Sequence, residues 1–263
     1  MNRRFLQVVI LRGAVVAALT YLILPLLIIL PVSLTDQRML ALPVNGLSLQ
    51  HYAAVIQSEE WLSSTWQSLV IGIASTVLAV VIGVASAIGC KLVDSGRAGL
   101  VRILNLLPIV IPSIIYALGA YRFYVEVALL DTMAGVILAH AVGAIPFVFI
   151  AASASLEQLD LSLVRAAQSL GAGLIRTAIF VLVPNMKAGI VSGAIFAFLH
   201  SWDEIVVTLF ISSRTVHTLP RKMWEGLNEN LDPVIACVAV ALLLFTLILL
   251  LIEQKVKRMP PAG

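Results

Sequence analysis

Charged residues are scarce in this chain: they make up 12% of its 263 residues, whereas hydrophobic residues make up 60% and the mean hydropathy is +1.04. Soluble globular domains carry about 25% charged residues, so this composition excludes that class and indicates a membrane protein. The two cysteines, Cys90 and Cys237, are far apart in the sequence and do not support a disulfide framework.

Motifs that carry chemistry are also absent from the sequence. It contains no G-x-x-x-x-G-K-[ST] phosphate loop, so the chain is not expected to bind ATP. Four scattered histidines do not have the spacing of a metal site, and neither a nucleophile elbow nor an H-E-x-x-H motif occurs. The sequence therefore predicts a protein that is not an enzyme and that holds no cofactor or metal of its own.

Long apolar runs dominate what remains, and each approaches the roughly 20 residues that a transmembrane helix needs. The six runs are 14–32, 68–92, 103–124, 133–152, 188–212 and 234–252. Prolines interrupt several of them, and Pro108 and Pro112 in the third run predict packing kinks. We predict an all-α integral membrane protein with six transmembrane helices in one domain over residues 1–263.

Basic residues determine the predicted orientation, because cytoplasmic loops are enriched in Lys and Arg. With the N-terminus in the cytoplasm, twelve basic residues fall on inside segments and five on outside segments. Both termini and the coupling loop 153–187 are therefore expected in the cytoplasm, and the first run is interpreted as a retained signal anchor. The net charge of +3 follows from the same bias and gives no indication of nucleic-acid binding.

The segment 163–184, between the fourth and fifth runs, is the most informative part of the chain. Two sets of residues have the i, i+3, i+4, i+7 spacing of amphipathic helices: Leu163, Ala166, Ala167 and Leu170, then Ile175, Ala178, Ile179 and Leu182. Gly171, Ala172 and Gly173 separate the sets, and glycine adopts positive φ at little cost. The pattern predicts a compact helical elbow that docks a partner.

Two acidic residues, Asp203 and Glu204, lie inside the fifth apolar run, where an isolated acid is expensive. His200 precedes them by three and four residues, so all three share one helix face. One interpretation is a wall of a permeation path that attracts a cation. The other is a structural cluster of polar side chains, in which His200 bonds one carboxylate and the second carboxylate reaches a partner subunit.

Three aromatic residues of the predicted spans are candidates for a cation–π surface that binds an ammonium group, although aromatics in membrane spans are more often packing residues. The candidates are Trp202, Tyr116 and Tyr121. His140 is interpreted as a satisfied interior histidine, and Arg122 with Glu126 as a structural pair. Small residues at four-residue spacing predict close helix packing: Ala79, Gly83 and Ala87, and also Gly189, Gly193 and Ala197.

With the elbow in this position, the sequence resembles the inner-membrane permease subunits of binding-protein-dependent ABC importers. Their shared motif is Glu-Ala-Ala, three variable residues, glycine, and a hydrophobic stretch that ends in Leu-Pro. The matching positions are Ala166, Ala167, Gly171, Phe180 and Pro184. Arg165 replaces the leading glutamate and Val183 replaces the final leucine. The resemblance therefore still implies the helical elbow, but not the salt bridge that the glutamate usually makes.

The resemblance covers about residues 68–252, and SWDEIVVTLF with HTLPRKMWEGLNENLDP is similar to the subgroup that imports spermidine and putrescine. It implies a type I ABC importer permease fold with a cytoplasmic coupling-helix elbow, in a bacterial inner membrane. The implied partners are a second homologous permease, two cytoplasmic ATPases that bind ATP and Mg, and an extracytoplasmic substrate-binding protein. The implied ATPase contacts are Arg165, Ala166, Ala167, Gln168, Gly171 and Ala172.

Other functions remain open at this point. The cargo of such an importer includes other small amino compounds, for example GABA or aminoethylphosphonate. A self-sufficient secondary carrier would use Asp203, Glu204 and His200 as a proton relay, but such a carrier needs no docking elbow. A membrane scaffold without transport activity does not account for acids inside a span.

Overall fold

Backbone N–H and C=O groups find no water inside a bilayer, so apolar runs of this length are expected to fold as helices. The structure, a computed structural model, describes residues 3–92, 96–229 and 231–257, and within these ranges its regular elements are all helical. In chain order they are α1 (Arg3–Ser33), α2 (Gln50–Gln57), α3 (Glu59–Leu92), α4 (Arg97–Val110), α5 (Ser113–Glu126), α6 (Met133–Glu157), α7 (Leu161–Ser169), α8 (Leu174–Thr177), α9 (Val183–Asn185), α10 (Lys187–Asp203), α11 (Val206–Ile211), α12 (Leu219–Glu229) and α13 (Val234–Lys257). A π-helical turn, Ala178–Leu182, connects α8 to α9.

Among the residues that the structure describes, four helices are each long and apolar enough to cross a membrane: α1, α3, α6 and α13. The described residues provide up to six spans if two bent helix pairs are each counted as one span: α4 with α5, and residues 174–185 with α10. The predicted runs 14–32, 68–92, 133–152 and 234–252 lie within the four long helices. Pro146 does not interrupt α6.

The third apolar run, 103–124, is divided between α4 and α5, whose axes are bent by 106°. Ile111 is extended (φ −78°, ψ 126°), as a residue before proline prefers to be. Pro112 also lacks the N–H group that a continuing helix would use. The kink expected at Pro112 is therefore a complete break, whereas Pro108 lies inside α4.

The fifth apolar run, 188–212, is likewise divided. Helix α10 ends at Asp203, Glu204 is extended (φ −78°, ψ 112°), and α11 begins at Val206. The break thus falls at the acid pair, in the middle of a stretch that we predicted as one helix.

Two compact units make up the chain, and each has its own internal contacts. In the first, Ser33 at the end of α1 accepts a hydrogen bond from the Tyr52 hydroxyl at 2.8 Å, and its carbonyl accepts one from the Cys237 thiol at 3.2 Å. The units comprise residues 1–62 with 223–245, and 63–222 with 246–263.

The core of the second unit is built around α6, which packs against both α3 and α10. A Cβ atom added at Gly83 of α3 would lie 2.9 Å from Val148 of α6, and so would one added at Gly193 of α10. Small residues at these two positions permit the close approach of the helices, which confirms the predicted packing stripes. This packing holds α10 and its acidic end against α6.

Candidate functional site

The α4–α5 break and the α10–α11 break line the same cavity, which has a volume of about 260 Å³ and is here called the break cavity. Pro108, Ile111 and Ser113 line it from the α4–α5 break, and Glu204 and Val207 from the α10–α11 break. Its other lining residues are Ile109, Tyr116, Ala139, His140, Gly143, Phe147 and His200. Non-helical backbone at membrane depth is tolerated where it lines a cavity or is buried in protein. Both breaks meet this condition because they line the break cavity.

Glu204 stabilises the break in which it lies. Its Oε1 atom accepts a hydrogen bond from the backbone N–H of Val207 at 2.9 Å, in the first turn of α11. The first N–H groups of a helix have no partner within the helix, so this carboxylate satisfies one of them. Glu204 is half-buried and Asp203 is exposed, so the two acids lie in different surroundings.

His140 connects the two sides of the same break. Its Nδ1 atom lies 2.8 Å from Oγ of Ser201 in α10, and its Nε2 atom lies 3.0 Å from Oγ1 of Thr208 in α11. The side chain is buried and both ring nitrogens are paired, which confirms the interpretation as a satisfied interior histidine. The bonds also hold the end of α10 and the start of α11 to α6.

A second cavity of about 350 Å³, the acidic cavity, contains the predicted group of titratable residues. His200, Asp203 and Glu204 line it together with Phe147, Phe196 and Leu199. The Phe147 and His200 rings have centroids 5.2 Å apart. A Cβ atom at Gly143 would lie 2.5 Å from Nε2 of His200, so glycine is needed there for His200 to occupy its position.

The six residues predicted for a substrate pathway are not all brought together. Tyr116 lines the break cavity, and its hydroxyl donates to the carbonyl of Ala139 at 2.8 Å. Trp202 is buried and stacks on Phe198 at 5.4 Å, outside the lining of both cavities. Tyr121 is exposed and is also outside that lining. His200, Asp203, Glu204 and Tyr116 therefore form the candidate site.

A third cavity of about 660 Å³, the elbow-side cavity, was missed by sequence reasoning. Its lining residues are Phe147, Ile150, Ala151, Ala154, Ser155, Gln158, Ala188, Gly189, Ser192 and Phe196. The Ser192 hydroxyl donates at 2.9 Å to Glu253, which is only 7% exposed although it follows the sixth apolar run directly. Acidic residues are common at the ends of membrane spans, so the sequence does not indicate that Glu253 is buried.

The loop that follows α11 is held in place by hydrogen bonds to Asp131 and from Arg221. The carboxylate of Asp131 accepts backbone N–H bonds from residues 213–215 at 2.9–3.1 Å. Burial of the carboxylate raises its pKa, but these hydrogen bonds outweigh that effect and hold the pKa well below the ordinary value of 3.8. The buried guanidinium of Arg221 donates to the carbonyls of Ser212, Ser213 and Val216.

The elbow has the predicted arrangement of a helix, a glycine turn and a second helix. Gly171 has φ +81°, and its N–H donates to the carbonyl of Gln168 at 2.9 Å, while the N–H of Ala172 donates to the carbonyl of Ala167 at 3.0 Å. These two bonds form a Schellman motif, which ends α7 and favours glycine at its left-handed position. At the other end, Asp160 caps α7 by accepting from the N–H of Ser162 at 2.8 Å.

Several apolar side chains of the elbow are exposed, although Val164 of α7 and Leu182 are buried. By contrast, Leu170 is 89% exposed, and Ile175 and Phe180 are 76% and 75% exposed. A patch of this kind is typical of a surface that another protein or a membrane covers.

Arg122 and Glu126 form the predicted ion pair, with an N–O distance of 3.2 Å on an exposed part of α5. The pair does not line any of the three cavities. It therefore provides a charged control position for experiments on the acid pair.

Comparison with known families and relatives gives consistent matches. The family model described as "Binding-protein-dependent transport system inner membrane component" matches residues 79–259. The chain is 21% identical over 250 residues to the spermidine/putrescine transport system permease protein PotC of Escherichia coli (strain K12), covering 95% of this chain and 94% of PotC. It is 25% identical over 233 residues to the putrescine transport system permease protein PotI of the same organism, covering 85% and 82%.

Comparison with solved structures supports the same fold. One match is a chain of a bacterial alginate ABC transporter in complex with an alginate pentasaccharide-bound periplasmic protein. The TM-score is 0.74 at 15% sequence identity, over 97% of this chain and 95% of the other. At this identity the match establishes the type I permease fold and carries no information on cargo.

Proposed function

The chain belongs to the family of binding-protein-dependent transport system inner membrane components, and on that premise we propose that it forms half of the pathway of an ATP-driven polyamine importer. Spermidine or putrescine is the proposed cargo, in keeping with what PotC and PotI are named for. Another small amino compound, such as GABA or aminoethylphosphonate, is the alternative cargo.

The observation that carries this proposal is the position of the acids. Asp203 and Glu204 line a cavity at the point where a helix breaks, and Glu204 also faces a second break in the α4–α5 pair. Discontinuous helices in transporters form substrate sites because their free backbone groups and polar side chains face a cavity rather than lipid. Carboxylates there would replace the water that an ammonium group loses on entering the membrane.

Four residues would contact the cargo in this proposal: His200, Asp203, Glu204 and Tyr116. The Glu204 carboxylate accepts one hydrogen bond from the Val207 N–H, and its remaining lone pairs are available to a cation. Tyr116 presents its ring, since its hydroxyl is bonded to Ala139. Trp202 and Tyr121 retain only supporting roles, because they lie outside the lining of these cavities.

The proposed complex contains a second permease, two ATPases that bind ATP and Mg, and an extracytoplasmic substrate-binding protein. The alginate transporter, which was solved with a periplasmic protein, supports the last of these partners. The exposed apolar residues of the elbow support an ATPase contact, in which Ala166, Ala167, Gly171 and Ala172 allow close approach and Arg165 and Gln168 bond polar groups. ATP hydrolysis would then take place on the partner and not on this chain.

The proposed location is a bacterial inner membrane, with both termini and the elbow in the cytoplasm. The basic-residue distribution supports this orientation. The Asp203 end of α10 then lies on the side from which a binding protein delivers the cargo, and the elbow lies on the ATP side.

Uptake of labelled spermidine and putrescine by the whole complex in vesicles tests the proposal. The double variant Asp203→Asn with Glu204→Gln removes both charges but retains an acceptor for the Val207 N–H, so the break is preserved. We expect a sharp loss of uptake, with assembly and binding-protein affinity unchanged. Glu126→Gln, which removes an acid from the exposed pair on α5, is the matched control and is expected to transport normally.

Two results would contradict the proposal. Uptake at the wild-type rate by the double variant would mean that Asp203 and Glu204 have only a structural role. Uptake of GABA or aminoethylphosphonate in preference to both polyamines would retain the importer and replace its cargo.

A further inference from the structure

Two phenylalanines lie at the boundary between the acidic cavity and the elbow-side cavity. The acidic cavity and the elbow-side cavity share two lining residues, Phe147 of α6 and Phe196 of α10. Phe147 also lines the break cavity, so its ring borders all three. A path from one of these cavities to the other across their shared lining would pass these two rings.

The polarity of the lining residues changes along this path. On one side of the rings lie the carboxylates of Asp203 and Glu204. On the other side the polar groups are the hydroxyls of Ser155 and Ser192 and the amide of Gln158. The two aromatic rings offer no polar side-chain group to a cation, so a hydrated cation that passed between them would lose water without replacement.

We propose that the rings of Phe147 and Phe196 form this subunit's part of a hydrophobic gate between the acidic cavity and the elbow-side cavity. An apolar constriction excludes water and ions without a covalent or ionic closure, and it opens when its side chains move apart. This inference rests on the proposed function, because it assigns the closed point of the same pathway.

The position of Phe147 connects the gate to the acid pair. Its ring lies against His200, with centroids 5.2 Å apart, and His200 lines the acidic cavity with both carboxylates. A cation that moves His200 would therefore alter the packing of Phe147 directly. Gly143, one turn earlier on α6, leaves the space that His200 occupies.

Potassium leak through the complete complex in vesicles, without ATP, tests the gate independently of the cargo. The double variant Phe147→Ala with Phe196→Ala opens the constriction, and we expect its leak to exceed that of the wild type several-fold. Phe147→Leu retains most of the apolar volume and should leak little. Phe210→Ala is the matched control, since Phe210 has the same 37% exposure as Phe196 and lies outside the lining of the three cavities.

The valine variants of the same pair replace the alanine variants if the latter do not assemble, and the expected leak then lies between those of leucine and alanine. An assembled double variant with wild-type leak would overturn the proposal, and so would an equal leak from Phe210→Ala, which would indicate general loosening. Failure of the wild-type complex to take up labelled putrescine or spermidine would contradict the proposed cargo instead, because the potassium measurement does not depend on it.

Discussion

His140 and Ser201 are 61 residues apart in the sequence, and their side chains hydrogen-bond through Nδ1 and Oγ at 2.8 Å. The other ring nitrogen of the same histidine bonds Thr208 at 3.0 Å. One side chain of α6 thus bonds both pieces of the broken fifth run. Glu204 lies between these two bonded residues in the sequence, so the same bonds hold the segment that carries it.

His140→Leu is expected to destabilise the protein and to impair transport together. A buried hydroxyl that loses its partner costs about 1–3 kcal/mol, so the unfolding midpoint in detergent should fall. His140→Gln, which can still bond one of the hydroxyls, should lose less of both properties. Arg122→Gln breaks only an exposed ion pair and serves as the control. Equal stability of His140→Leu and the wild type would show that the break is held by other contacts.

Gly143→Ala is expected to reduce uptake without preventing assembly. The added Cβ would lie 2.5 Å from Nε2 of His200, so the imidazole must move from the acidic cavity. We expect a loss of about tenfold in uptake, equivalent to ~1.4 kcal/mol in the barrier. Gly119→Ala on α5 is the matched control, because a Cβ there has no heavy atom within 4 Å among the described residues. If both variants transport equally well, His200 has no role in the site.

Locally encoded features could be predicted from the sequence. Pro112 lacks an N–H and restricts the residue before it, so a bend in the third run follows from its chemistry alone. The spacing of small and apolar residues around Gly171 likewise indicates an elbow with a left-handed turn. Small residues such as Gly193 mark close helix contacts because a larger side chain would collide with the neighbouring helix.

The break at Glu204 could not be predicted in the same way, because its stabilising groups come from distant parts of the chain. The acid pair was visible in the sequence, but the apolar run continues past it, and the bonds from His140 appear only in the fold. The same holds for Phe147, which is one aromatic residue among many in apolar runs. Its importance comes from lying where three cavities meet.

Gly171→Leu is expected to leave membrane insertion intact and to uncouple ATP hydrolysis from uptake. Gly171 has φ +81°, where a side chain costs roughly 1–2 kcal/mol, and any distortion would fall on the exposed elbow. Gly173→Ala is the matched control, since Gly173 has φ −69° and an equally open environment in the described structure. Normal ATP-dependent uptake by well-expressed Gly171→Leu would contradict the coupling role.

Asp131→Asn is expected to lower the stability of the protein at neutral pH and to make little difference in acid. The hydrogen bonds from residues 213–215 hold the folded-state pKa of Asp131 below the ordinary 3.8. Above pH 3.8 the carboxylate is charged in both the folded and the unfolded state, and its stabilisation is complete. As the pH falls below that value, the unfolded chain binds the proton first, so the stabilisation is lost progressively toward the lower folded-state pKa. The difference in unfolding midpoint between wild type and Asp131→Asn should therefore be constant from pH 7 to pH 5 and shrink below about pH 4. A difference that grows as the pH falls would have the wrong sign and would show that the charge of Asp131 does not hold the loop.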